Sequence, residues 1–536
     1  MKKLLYSIAG AFLLTMGSCD SLDLAPIDFT GAGNFWQNEG QVSTFMNGLH
    51  GQLRGDYASP FLLGEVRGGT LMDGTSSLGT SVDYSIQITN ALTIHSTGVS
   101  NWNGYYSRIL QVNHFIDEVS NNCNFLSAEK KNAYLAQAHG IRAYYYFMLY
   151  KTFGGVPLEL DVKITSGAKP EITDLYMKRS SAADVMQFLK DEISASEQAW
   201  GASTTLDRYM WSKYATLFLK AEIHMWAAKV STNDYEKAHT ATGAADLEVA
   251  KKALNEIISS GKFELEQNFG DIFAYDNKEN KEVILAMPFD RNETTNSGWG
   301  DTFVYSSALF IGSFYDEEGN VIQDPLDLKG SGWFKKEYRE ELVKSFDKTD
   351  SRRAATFLEY YSSPNMDEAT FGVSTLKYLG HVDGGTRYYD SDVIMMRYAD
   401  VLLMMAECEN GLGNSCAPWI NQVRQRAYGN NYSAEVTYTD GDYAANELAI
   451  LKERDKEFVA EGKRWFDLRR MHDANKQPLV FSAAAAYSKV YGEAPTPVLD
   501  KATEEHKLLW PINVAVLTAD PELEQTWGYD EAEGTK

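Results

Sequence analysis

The chain has 536 residues, 44% of them hydrophobic and 23% charged, an ordinary globular composition with enough apolar material for a large core. A formal net charge of −24 sets it against phosphate backbones and anionic headgroups and argues against a nucleic-acid partner. Aromatics reach 12%, with 31 Tyr and 11 Trp, which is more aromatic surface than a core alone needs.

The chain opens on Lys2 and Lys3, then a short apolar run from Leu4 to Met16, then the small residues Gly17 and Ser18 before Cys19. That order is a secretory signal, too short to span a bilayer as a mature helix. Small residues ending at a Cys resemble a lipobox, although Met16 stands where a Leu is usual. The expectation is a signal peptide over 1–18, a lipidated Cys19 and an extended tether over 19–34; an ordinary signal with an incidental Cys19 is the alternative. Diacylation of Cys19 satisfies the two-chain requirement for stable anchoring. Of the four cysteines, Cys123, Cys408 and Cys416 then remain, an odd number that speaks against a disulfide framework. Cys408 and Cys416 are close enough in sequence to pair, but buried free thiols are the expectation.

Helical periodicity dominates from there. Ile109, Val112, Ile116 and Val119 line one face of a helix over 105–119. A second helix covers 128–152, with Ser127 as its N-cap and Gly154-Gly155 as its stop. A third starts at Ser181, with Asp184 three residues on. Further helices fit 210–230, 248–260, 392–411, 415–427 and 444–471. Adjacent pairs among these suggest stacked hairpins of the tetratricopeptide kind. Residues 64–103 and about 287–340 break the pattern with Gly, Ser, Thr, Asn and aromatics, and loops that long in a compact protein are usually functional. The tail from 475 is irregular.

Several segments resemble the SusD/RagB family. QAHGIRAYYYFMLYKTFGGVPL (137–158) is similar to that family's Arg-Ala-aromatic helix running into a Gly-Gly-Val-Pro-Leu turn. WNGYYSRILQVNHFID (102–117) resembles the helix before it, and RYMWSKYATLFLKAEIHMW (208–226) the next one. IMMRYADVLLMMAECEN (394–410), INQVRQRA (420–427), ERDKEFVAEGKRWFDLRR (453–470) and LLWPINVAVLTADPELEQTWGY (508–529) follow in the family order, and CDSLDLAP (19–26) resembles its start. The resemblance implies a mainly α fold, four tetratricopeptide-like helix pairs carrying long irregular inserts, with a helical part over 35–265 and a second part over 266–536 forming one compact unit. It further implies an outer-membrane lipoprotein facing the cell exterior, which captures oligosaccharide and passes it to a SusC-like TonB-dependent barrel transporter. Peptide or another nutrient is the alternative ligand, and a glycoside hydrolase the remote one.

The family motifs read as scaffold. Arg142 lies among apolar and aromatic neighbours, so its guanidinium needs a carboxylate or helix C-terminal carbonyls. Arg397 reads the same way. Arg454 with Glu457, and Glu461 with Arg464, are spaced for i, i+3 pairing. Metalloprotease, nucleophile-elbow and phosphate-loop signatures are absent, and the nine His are scattered, so neither catalytic residues nor a metal-ligand set is expected. No cofactor is implied; Asp-rich 316–327 leaves a structural Ca²⁺ open but lacks the EF-hand order.

Binding then rests on the irregular segments. A sugar offers a flat C–H face and a ring of hydroxyls, matched by an exposed Trp or Tyr with Asp, Asn or Arg nearby. The glycan platform of the family draws on the loop before the Trp102 helix and on a mid-chain insert. The candidates by resemblance are Arg67, Asp73 and Tyr84 in the first, and Asn296, Trp299, Tyr305, Tyr315 and Trp333 in the second. Trp299 leads them, because Gly298 and Gly300 cannot bury it locally. Trp36, Trp102, Trp226, Trp419, Trp465 and Trp510 sit in scaffold-like motifs and read as core.

Overall fold

The computed structural model describes residues 35–162, 171–306, 314–366 and 370–529. The expected signal peptide, the tether and Cys19 lie outside the described residues.

Ten helices carry the architecture. They are α1 (Glu39–Gly55), α2 (Asn103–Asn121), α3 (Ala128–Phe153), α4 (Ala182–Trp200), α5 (Lys213–Lys229), α6 (Ala244–Ser259), α7 (Tyr398–Gly411), α8 (Ala417–Tyr428), α9 (Tyr443–Glu457) and α10 (Arg464–Arg470). Local chemistry starts and stops them. The Ser127 hydroxyl accepts from Lys130 N at α3, and Ser181 does the same for Asp184 N at α4. At α1, Val42, Met46, Leu49 and Leu53 make one buried stripe. From Ala138 onward α3 is buried on nearly every face, which marks it as the central helix.

Each helix packs on the next in a run from α1 to α7, and α8 and α9 both lie against α7. The hairpins expected from 105–119 with 128–152 and from 210–230 with 248–260 are in contact as α2–α3 and α5–α6. The α6–α7 contact joins helices separated by residues 260–397. That insert leaves through β1 (Val283–Met287) and returns through β8 (Val393–Arg397), which pair antiparallel and hold its two ends together. Between them lie a small sheet ordered β3 (Val321–Ile322), β2 (Phe314–Tyr315), β4 (Phe357–Tyr361), β5 (Phe371–Thr375), and the hairpin β6 (His381–Asp383)–β7 (Thr386–Tyr388).

Two helix expectations need correction. Residues 393–397 of the span 392–411 are the strand β8, because the run Val-Ile-Met-Met pairs with β1 before the helix starts at Tyr398. The span 444–471 is two helices, α9 and α10. Ala460 (φ 63°) and Gly462 (φ 74°) take the left-handed conformation between them. A Cβ on Gly462 would stand 2.5 Å from the Pro60 carbonyl carbon, so the backbone there packs directly on the 59–64 helix.

The charged motifs are scaffold, but their pairing is tertiary rather than i, i+3. Arg142 is held by both oxygens of Glu192 on α4 (2.8 and 3.0 Å) and by Asn113 on α2 (2.9 Å). Arg397 bonds Glu282, Glu457 and Glu461, each at 2.7 Å. Arg454 pairs with Asp400 and Asp467, not Glu457, and Arg464 pairs with Asp455, not Glu461. Burial raises the Glu457 carboxyl, but Arg426, Arg397 and Arg352 outweigh it and hold it well below the usual range. Cys123, Cys408 and Cys416 are buried free thiols.

Candidate functional site

The two irregular segments of the sequence meet in space. Leu71 bridges Tyr338, Met72 N donates to Glu337 O (2.9 Å), and Asp83 N donates to Lys335 O (2.9 Å). Residues 71–84 are thereby zipped along 333–338. Glu337 fastens the seam from below: its carboxylate accepts from Ser77 N (2.7 Å), Ser77 Oγ (2.6 Å) and Val373 N (3.1 Å). Burial without a cation partner pushes its carboxyl up to about 7.

Trp333 stands on this seam 65% exposed, the most exposed tryptophan of the described core and inserts. Its backbone explains the exposure. Gly332 has φ 104°, and a Cβ there would meet the Tyr305 carbonyl oxygen at 2.0 Å. Phe334 follows with φ 46°. The reversal turns Phe334 into the core and leaves Trp333 outside. Tyr84, also left-handed at φ 65°, is half-buried, with Lys336 Nζ 5.6 Å from its ring centre. Lys336 forms a floor beneath it, facing Trp299 (4.9 Å) and Phe303 (5.1 Å), and burial brings its pKa down to about 8. Asp73 is part-exposed, 3.7 Å from Lys489. Tyr315 is half-buried on β2, paired with Val321 and Tyr361. The described residues thus offer Trp333, Tyr84 and Asp73 on one two-segment seam, with Tyr315 on the adjoining small sheet.

The other four candidates are buried, and each has a structural reason. Trp299 is 3% exposed: amides 299 and 300 fold back onto Asn296 O, and the ring packs edge-on to Phe61 (4.8 Å) and Phe303 (5.0 Å). The flanking glycines permit that tight turn, which tucks the ring in rather than holding it out. Tyr305 is fully buried, its hydroxyl on Asp324 at 2.6 Å. Asn296 is fully buried, donating to Ser391 O at 2.7 Å. Arg67 is fully buried between Trp465 (4.0 Å) and Trp510 (5.0 Å), with its Nε on Asn90 at 2.7 Å.

Arg67 belongs to a longer ladder. Arg469 lies 5.7 Å from Trp465 on the other side and 5.0 Å from Trp226, so two guanidiniums alternate with three tryptophans. Trp226, Trp465 and Trp510 are core as expected, with Trp36 and Trp102; Trp419 is half-buried.

Sequence reasoning missed Lys336, although Gly-Trp-Phe-Lys-Lys-Glu-Tyr (332–338) signals a segment whose side chains alternate in and out. It also missed Tyr491, 38% exposed two residues after Lys489, and the stack of Tyr275, His381 and Tyr388 (3.9 and 5.6 Å), which residues far apart in sequence build. In 316–327, Asp316 and Asp324 accept from backbone amides and, at Asp324, from Tyr305; among the described residues no group of three metal-ligating side chains forms.

A stack of helix hairpins carrying two irregular segments that meet in a seam, with Trp333 exposed on it, defines a helical scaffold protein with a loop-built face. The chain belongs to the SusD/RagB family: the SusD family model matches residues 265–529, and a second model, described as starch-binding associating with outer membrane, matches 63–237. A SusD superfamily protein of Bacteroides fragilis is 36% identical and superposes with a TM-score of 0.83 over 92% of this chain and all of the other. A SusD-like protein of Formosa agariphila is 26% identical over 98% of this chain and 99% of its own length. The starch-binding protein SusD of Bacteroides thetaiotaomicron is 23% identical over 93% of this chain and 96% of its own length.

Proposed function

We propose that this protein is a glycan-binding lipoprotein of the outer membrane, anchored through Cys19 with its insert face toward the cell exterior. It captures oligosaccharide and hands it to a SusC-like TonB-dependent barrel; it is not an enzyme. The observation that carries the reading is Trp333, a large aromatic held 65% exposed by a strained backbone on the seam of the two inserts. Exposing that ring forgoes the free energy of burying it, which a binding role explains. Tyr84 and Tyr315 supply further faces, and Asp73 supplies hydroxyl acceptors. The names of relatives point the same way: one is called starch-binding, and a fold neighbour from Bacteroides uniformis is called surface glycan-binding protein A.

Affinity electrophoresis against a polysaccharide panel tests this. Retardation by at least one polysaccharide is expected, and Trp333→Ala should weaken it about tenfold or more, the size of effect a central aromatic anchor carries. Retardation unchanged in Trp333→Ala would remove the proposed face, and a panel with no retardation would favour peptide or another nutrient.

A further inference from the structure

A sizeable cavity lies elsewhere. It measures about 480 Å³ and opens between the C-terminal end of α5, the start of α6, and the segments 469–481 and 505–509. No residue of the two inserts lines it. That volume lies within the range of small-molecule sites.

Its wall carries a buried cation with no counter-charge. Arg469 is 3% exposed and has no carboxylate partner among the described residues. Its guanidinium makes one hydrogen bond, Nη1 to Lys151 O, and its Nε has no partner. Stacking on Trp226 and Trp465 fixes the plane of the group without neutralising it. The buried arginines around α7 and α9 are matched by carboxylates; Arg67 and Arg469 are not, and of these two Arg469 lines the cavity, which suits it to hold an anion. Burial and the neighbouring Arg67 lower its pKa only to about 9, and it stays charged at neutral pH.

The second wall agrees. Helix α6 starts at Gly243 without a side-chain cap, and Gly243 and Ala244 line the cavity, so the positive end of the helix dipole reaches it. The acid in that turn, Asp246, is already engaged by His224, Lys190 and Thr242. Lys229 is likewise matched, by Glu407 and Glu447, whereas exposed Lys476 lies over the Tyr443 ring at the rim. Glu505 is the one carboxylate in the lining. Apolar surface from Phe481, Leu509 and Trp527 and polar groups from Ser231, Asn233 and His472 complete it.

We propose that this cavity is a second binding site, for a carboxylate-bearing saccharide of one or two rings whose carboxylate is held by Arg469. A planar guanidinium fork matches carboxylate or phosphate oxygens. One unmatched cation balances one negative charge, and a net charge of −24 opposes a dianion, which selects carboxylate over phosphate. Apolar walls facing hydroxyl-bonding groups suit a sugar ring.

Titration calorimetry on the full chain with D-glucuronate, D-glucose and D-glucose 6-phosphate tests it. Glucuronate should bind, with glucose and the phosphate each at least about tenfold weaker, a difference of about 1.4 kcal/mol. Arg469→Gln should abolish glucuronate binding. Because that change also disturbs the ladder, the deciding variant is Ala244→Glu, an exposed first-turn position where an acid suits the helix while placing a negative charge at the cavity. It should melt as wild type does and bind glucuronate at least about tenfold more weakly. No heat with glucuronate, equal affinity for glucose, or unchanged affinity in Ala244→Glu would overturn the site; tighter binding of the phosphate would overturn the carboxylate assignment.

Discussion

Buried charge is handled in two different ways in two neighbouring regions. Around α7 and α9, each cation meets anions: Arg397 with Glu282, Glu457 and Glu461, Arg352 with Asp350, Glu453 and Glu457, Arg470 with Glu407 and Asp467. At Glu337, Glu65, Arg67 and Arg469, buried ionisable groups lean on neutral partners instead. Glu337 has hydroxyl and amide donors, Glu65 has Tyr338 and two backbone amides, and Arg67 and Arg469 have tryptophan faces. The first arrangement locks helices in one register and holds its acids ionised far below neutral pH. The second leaves acids that titrate near neutrality and cations without a counter-charge.

The sharpest test of that contrast is the loss of a partner in the first region. Arg397→Ala removes the cation shared by the buried carboxylates Glu282, Glu457 and Glu461 and should cost about 3–5 kcal/mol in urea unfolding. A loss under about 1 kcal/mol would mean the network is not tightly coupled. In the second region Arg67→Lys keeps the charge but loses the stacked plane and the Asn90 bond, and should cost about 1–2 kcal/mol.

A pH series separates the regions further. Folded Glu337 keeps its proton up to about 7, whereas the unfolded chain releases it near 4.5. The stability this gives is fully present below pH 4.5 and is lost as pH rises to about 7. Relative to Glu337→Gln, wild type should therefore lose stability across that window, by up to about 1.4 kcal/mol per pH unit, and run parallel above it. Parallel curves throughout would show that the Ser77 and Val373 donors keep Glu337 ionised. The smallest stability effect belongs to Trp333→Ala, within about 0.5 kcal/mol, since the ring is exposed; a larger loss would make Trp333 a packing residue.

Scaffold was legible where local chemistry decides it. Ser127, Ser181 and Gly154 cap and stop helices where the sequence places them, and Arg142 finds its carboxylate. Legibility failed where a distant segment decides. The Val-Ile-Met-Met run before Arg397 becomes a strand because β1 lies beside it, and α9 ends at Glu457 because Gly462 must fit against Pro60. At the candidate face the rule for exposure was the weak point. Trp299 and Trp333 both follow a glycine, yet one turn folds onto Asn296 and the other is forced outward by the Tyr305 carbonyl. Which way a Gly-Trp turn points is set by the chain it packs on, and that chain is not adjacent in sequence.

The α6–α7 contact has a consequence in time. The hairpin cannot close until residues 260–397 have been made and threaded aside, so the scaffold is completed late, by a contact of long sequence separation. The thermodynamic penalty is slight, because loop-closure entropy grows only logarithmically, by about 0.6 kcal/mol per doubling of length. With β1 and β8 clasping its base, exposed loops of the intervening stretch can lengthen or shorten with little effect on the final stability of the helices, provided the buried residues it lends to the scaffold, such as Arg352 and Lys377, stay in place.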